Sequence, residues 1–251
     1  TILAAFVVPR VLVALVAGAL FATPCPVLAQ EIPVTACGQE IPPATPGYLT
    51  ADLDCTTMAG QTRPGTNTWG AVILNDKASL DLRGFTLTAD QDGGVACLEE
   101  CRKLPPGISG IYCTTRQCRI FGGGTIVGHG GHGIAAARRI DVENVALTGF
   151  DDVVFNTNAL FLRNVQITGN ARVFYAVNRA HIEDSSITGN DLGVSAHRVR
   201  LVSSTVLGNG PFDLYTARKP VLRDGSQCGI SLRPGRYPWL QGGTWGVCAN
   251  D

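Results

Sequence analysis

The chain has 251 residues, 16% of them charged, with 20 Lys and Arg balanced by 20 Asp and Glu. Zero net charge provides neither a basic field for nucleic acid nor an acidic tail, so no nucleic-acid partner is expected. Thirty glycines, nine cysteines and one methionine argue against a helix-rich protein and for a turn-rich, disulfide-stapled β protein.

Residues 1–29 read as a signal peptide. Arg10 is their only charge, residues 11–22 form an apolar run, and Val27-Leu28-Ala29 offers small residues for cleavage after Ala29. A membrane anchor needs ~20 apolar residues, a length reached only by counting Pro9 and Arg10. A lipoprotein anchored at Cys25 would need a small residue where this chain has "ATP". Export predicts a secreted or periplasmic protein with no membrane contact after the signal is removed, acting as a monomer.

Eight cysteines then remain, Cys37, Cys55, Cys97, Cys101, Cys113, Cys118, Cys228 and Cys248. An even number in an exported chain predicts disulfides. Chain order suggests Cys37–Cys55 and Cys228–Cys248 at the two ends, with Cys97–Cys101 and Cys113–Cys118 in the middle cluster. Zinc is the rival, but C-x3-C and C-x4-C are looser than the usual zinc knuckle and export favours oxidation. No metal and no other cofactor is expected.

Residues 30–76, with Trp69, read as an N-terminal cap. From 77 to 218 the chain repeats itself: "LRGFTLTA" at 82, "VENVALTG" at 142, "LRNVQITG" at 162, "IEDSSITG" at 182 and "LVSSTVLG" at 201, with a degenerate "FGGGTIVG" at 121. A second short segment follows each of the last copies, as in "VVFN" at 153 and "VFYA" at 173. A period near twenty built from short alternating strands is too small for a propeller blade and lacks leucine-rich spacing. It predicts coils that stack at ~4.8 Å, with equivalent residues in columns.

Inward columns are then Ile140, Leu160, Ala180 and Val199; Val142, Leu162, Ile182 and Leu201; Leu147, Ile167, Ile187 and Val206; and Ile134, Val154, Phe174, Val194 and Leu214. Asn170, Asn190 and Asn209 form an amide column at a turn. Residues 90–109 are the one long insertion, either a binding flap or an excursion pinned by its own cysteines. Residues 219–251, with Tyr237, Trp239 and Trp245, read as the C-terminal cap that covers the last strand edges.

"SLDLRGFTLTA", "GGGTIVG" and the "ITGN" turns resemble right-handed parallel β-helix proteins of the pectate-lyase-like superfamily, in particular exported bacterial members with cysteine-stapled first coils. The resemblance covers roughly residues 77–218 and implies the fold: all-β, a right-handed parallel β-helix with disulfide-clamped caps. It also implies a groove along one strand face for an extended polysaccharide, often uronate-containing, with lyase, hydrolase or epimerase chemistry in some relatives and none assigned in many.

Outward positions carry the candidate chemistry. Glu143, Arg163 and Glu183 form an acid-base-acid column, His181 lies beside them, and Arg139, Arg179 and Arg198 add a basic edge. Elimination from a uronate would use Arg163 or Arg179 against the carboxylate and His181 as base. Hydrolysis would use Glu143 and Glu183, two coils or ~9.6 Å apart, within the ~6.5–9.5 Å class of inverting enzymes only approximately. The competing reading is a solvent-exposed salt ladder that keeps the register. Tyr175, with Phe155 and Tyr215, marks a second face on which sugars could stack.

"GHGGHG" at 128–133 and Asp151-Asp152 resemble polygalacturonase motifs, but the order is reversed and no "NTD" or "RIK" segment is present, so pectin hydrolysis is not expected. His132, Asp152 and Arg172 should share a column and form a reserve site. Three classes remain: an enzyme on polysaccharide, a polysaccharide-binding module, and a structural surface protein.

Overall fold

The computed structural model describes residues 30–56, 69–89, 108–114, 116–235 and 241–251. These residues are all-β, without α-helix, and lie in two sheets built almost wholly of parallel strands. The pattern is that of a β-helix or solenoid. One sheet stacks the strands Leu53–Cys55, Thr86–Ala89, Thr125–Gly128, Ala146–Thr148, Gln166–Thr168, Ser186–Thr188, Thr205–Leu207 and Gln227–Cys228. Strands this short are unstable alone; stacking buries one face of each against the other sheet.

The other sheet contains the strands His132–Glu143, Asp152–Arg163, Arg172–Glu183 and Val194–Val202, each parallel to the next. Its register matches the sequence period: Ile140, Leu160, Ala180 and Val199 face one another, as do Val142, Leu162, Ile182 and Leu201. Leu147, Ile167, Ile187 and Val206 do the same in the second sheet. Ile134, Val154 and Phe174 align, as do Val194 and Leu214, and all five are fully buried.

The amide column is continuous. Asn170 Nδ2 donates to Asn190 Oδ1 and Asn190 Nδ2 to Asn209 Oδ1, each over 2.8 Å, and all three residues are buried. Asn170, Asn190 and Asn209 Oδ1 also accept the backbone N–H of Phe150, Asn170 and Asn190 respectively, each from the preceding coil. A serine column runs in parallel, in which Ser185 Oγ accepts from Val165 N and Ser204 Oγ from Ser185 N. Turns that would otherwise strand buried polar groups thereby become further ladders.

Asn156 and Ala176 adopt left-handed backbone, with φ of 54° and 56°, at a corner inside their strands. Arg172 bridges Leu192, an offset of 20, whereas Val177 pairs with Ala196, an offset of 19. The nineteen-residue coil therefore drops the corner residue that Ala176 occupies in the coil before it. Both neighbouring registers stay intact.

The parallel ladder begins before residue 77. Ile32–Val34 pairs with Pro46–Leu49, which pairs with Ser79–Asp81, and Gln39–Ile41 pairs with Trp69–Leu74, so the segment read as a cap contributes stacked strands. Among the described residues the sole antiparallel pairing joins Ser231–Pro234 to Gln241–Thr244 at the C-terminal end. There the Asp251 carboxylate accepts from Val247 N at 2.7 Å, Cys248 N at 2.9 Å and Ser231, while Trp245 Nε1 donates to Thr216 O at 3.2 Å.

Cys37–Cys55, Cys113–Cys118 and Cys228–Cys248 are disulfides, the pairings expected from chain order and those of an oxidising compartment. Cys97, Cys101, most of the long insertion, Tyr237, Trp239 and the signal segment lie outside the described residues. Among the described residues no helix is long and apolar enough to cross a membrane.

Candidate functional site

Alternation along a strand sends the neighbours of each core residue outward, and register stacks them. A central outward column runs Arg119, Asp141, Phe161, His181, Arg200 and Val221. On one side lie Gln117, Arg139, Ala159, Arg179 and Arg198; on the other lie Glu143, Arg163, Glu183, Val202 and Arg223. Two open depressions follow these columns. One, of about 550 Å³, is lined by Arg119, Arg139, Asp141, Glu143, Arg163 and Glu183 around Phe161 and His181. The other, of about 360 Å³, continues past Phe161 and His181 to Arg179, Arg198, Arg200 and Val221. Phe161 and His181 belong to both, so the face carries one trough. From Arg119 to Val221 it crosses six strands, or ~24 Å at the usual coil spacing.

The acids of the trough are all engaged. Arg139 donates to Asp141 from Nε at 3.0 Å and Nη2 at 2.9 Å, and Gln117 Nε2 adds a bond of 2.9 Å. Arg119 meets Glu143 at 2.8 Å, and Arg163 meets Glu183 at 3.5 Å. Glu143, Arg163 and Glu183 thus share a column as expected, but the ion pairs go Arg119–Glu143 and Arg163–Glu183. The cation that neutralises Glu143 comes from the preceding coil. Arg163 also occupies the level between the two glutamates, where a hydrolytic water and scissile bond would have to sit.

His181 has a different environment. Its ring stacks on Phe161, with centroids 5.9 Å apart, and its Nε2 is 3.9 Å from Glu183 Oε2, beyond a hydrogen bond. Burial, and then the Arg200 charge, push its pKa below the ordinary 6.5, with Glu183 pulling the other way. The imidazole is therefore neutral near pH 7 and able to accept a proton. Arg139 lies over the opposite neighbour, its guanidinium carbon 4.3 Å from the Phe161 ring centre.

Arg179 lines the second depression. Tyr175, although 45% exposed, stands apart from the trough, beyond the corner at Ala176. It stacks on Phe155 at 5.3 Å with Arg172 4.4 Å from its ring centre, while Tyr215 pairs with Ser195. The aromatic stack runs His132, Phe155 and Tyr175, the His132 ring centre lying 4.2 Å from that of Phe155.

Comparison with protein-family models, curated proteins and solved structures gives no match. Geometry therefore carries the functional reading. Among the described residues no three His, Cys, Asp or Glu converge as a metal site.

His132, Asp152 and Arg172 do share a column. His132 Nδ1 lies 3.2 Å from Asp152 Oδ2, and Arg172 Nε is bonded to Asp152 Oδ1. Burial pushes the Asp152 carboxyl up, but the bonds from His132 and Arg172 and the Arg172 charge outweigh it and hold its pKa below the ordinary carboxylate value. The glycines of "GHGGHG" have structural work: a Cβ on Gly128 would collide with the buried Phe150 ring and one on Gly133 with the Val153 carbonyl oxygen, and Gly130 and Gly131 have positive φ of 111° and 57°.

Sequence reasoning missed Arg119, Arg218 and Lys219. They flank the regular copies, and only a register carried beyond the repeat would have found them.

Proposed function

We propose that this chain is an exported right-handed parallel β-helix protein of the pectate-lyase-like kind that binds an extended, uronate-containing polysaccharide along the Arg119-to-Val221 trough. The observation that supports this most is the sharing of Phe161 and His181 by two depressions, which gives a polymer-length site running along the stack. Right-handedness is favoured because parallel crossovers within a sheet are overwhelmingly right-handed. Arginines at successive levels suit carboxylates repeated along a chain, and the stacked Phe161–His181 pair offers a platform for a sugar ring.

Of the cleavage chemistries, elimination suits these residues better than hydrolysis. Neutral His181 would take the proton adjacent to the uronate carboxylate, Arg163 or Arg179 would hold that carboxylate, the glycosidic C–O bond would break, and a C=C bond would form as the leaving oxygen gains a proton. Hydrolysis by Glu143 and Glu183 would have to free both from arginines.

The test is a panel of acidic and neutral polysaccharides with binding, unsaturated-product and reducing-sugar readouts. Uronate binding lost in Arg163→Ala with Arg179→Ala, in a protein that still folds, supports the trough. Binding that persists there but vanishes in Tyr175→Ala moves the site to the Phe155–Tyr175 face.

A further inference from the structure

The two halves of the trough differ in charge. In the half toward Arg119 every acid has its arginine. In the other half, Arg179, Arg198, Arg200, Arg218 and Lys219 line the 360 Å³ depression and no carboxylate does. All five are exposed, and among the described residues none has a side-chain hydrogen bond or ion pair to an acid. Five like charges held together without counter-charge repel one another, an arrangement that a bound polyanion would relieve.

The cations sit on three successive coil levels: Arg179 on Arg172–Glu183, Arg198 and Arg200 on Val194–Val202, and Arg218 and Lys219 at the entry to Val221–Arg223. Three levels span ~9.6 Å, room for a pair of sugar rings. A simple polyuronate brings one charge per ring to that span and would leave most of these cations unanswered. Val221, 43% exposed, and Ala159 supply apolar surface in the same depression, suited to the C–H face of a ring between charged substituents. Whole-chain neutrality makes this a local cluster within an otherwise balanced surface, unlike the broad basic field of a nucleic-acid binder.

We infer that the Arg179–Arg198–Arg200–Arg218–Lys219 end of the trough binds a polysaccharide carrying two or more anionic groups per sugar, as sulfate esters supply. The inference rests on the reading of the trough as a polysaccharide site and specifies which polymer it prefers.

The experiment compares dextran sulfate, polygalacturonate, unsubstituted dextran and single-stranded DNA for binding to the mature protein by calorimetry at one ionic strength. Dextran sulfate should bind at least about tenfold tighter than polygalacturonate. Arg198→Ala with Arg218→Ala should weaken dextran sulfate binding by about tenfold or more and flatten its salt dependence. Arg83→Gln, which removes an arginine paired with Glu31 beyond the Arg119 end of the trough and so far from this cluster, should leave both unchanged. Lys219→Gln serves as the second variant if the double one does not fold. Polygalacturonate binding as tightly as dextran sulfate would overturn this inference and leave the uronate reading standing. Binding of no polymer would remove both, and DNA binding as tight as dextran sulfate would show that the cluster reads charge alone, which overturns the polysaccharide assignment.

Discussion

Asn209 Nδ2 donates to Asp213 Oδ1 over 2.9 Å, and the other Asp213 oxygen accepts from Gly229 N at 2.9 Å and Ile230 N at 3.0 Å. The amide column thus ends on a buried carboxylate that needs no donor of its own. Asp213→Asn should be destabilising by about 1–3 kcal/mol, because whichever way the amide turns, its NH2 faces a donor. A denaturant midpoint equal to that of the unsubstituted protein would show that the ladder end carries no weight.

Phe174 is fully buried in the Ile134–Val154–Phe174 column. Phe174→Ala should cost about 3–5 kcal/mol through the cavity it leaves, and Phe174→Asp more, because its charge has no partner there. Thermal scans of the two variants check the order.

The eight cysteines from Cys37 to Cys248 should resist thiol reagents in denatured, unreduced protein. Of the three described disulfides, Cys228–Cys248 closes twenty residues, for which constraint of the unfolded chain gives ~3 kcal/mol. Replacing both cysteines by serine should lower stability by about that amount, and titration of four thiols with bound zinc would overturn the disulfide reading of the middle cluster.

The folded Asp152 carboxyl titrates below its ordinary 3.8. Its contribution to stability is therefore fully present above about pH 4 and lost as pH falls through the lower, folded value. Asp152→Asn should make unfolding free energy less steep below pH 4, read from denaturant curves at several acid pH values. An unchanged slope in that variant would remove Asp152 from the acid response.

Arg200 adds to the depression of the His181 pKa that burial begins. Removing it in Arg200→Ala should raise the pKa while leaving it under the influence of burial, as NMR titration of the ring would show. If elimination occurs, the pH at which turnover falls on the acid side should rise with it; a turnover profile indifferent to Arg200 would separate His181 from the chemistry.

Sequence resolves this molecule best where its own copies overlap. Ile140, Leu160, Ala180 and Val199 align from the sequence alone, because a stacked coil requires the same side-chain direction at the same position each time. Ile32–Val34 and Gln39–Ile41 could not, since their turns lack the "ITGN" pattern and pairing is carried by backbone alone. The site divides in the same manner. Glu143, Arg163, His181 and Glu183 were legible as neighbours, but which arginine neutralises which glutamate depended on Arg119, from a coil too degenerate to register. Tyr175 is legible in the sequence as part of a second face, but the corner at Ala176 that sets this face apart from the trough leaves no mark in the alternation.

The one-residue step between Ala176 and the next coil has a consequence for how such a molecule changes length. A coil can shed its corner residue and still dock on both neighbours, so the whole turn is the natural unit of insertion, with a one-residue difference absorbed at the bend. Duplicating residues 151–170 would add one rung to the core, one amide to the Asn column and ~4.8 Å of trough, leaving both ends untouched. The length of the trough is thus graduated in coils, and recombination can extend it without inventing a new interface.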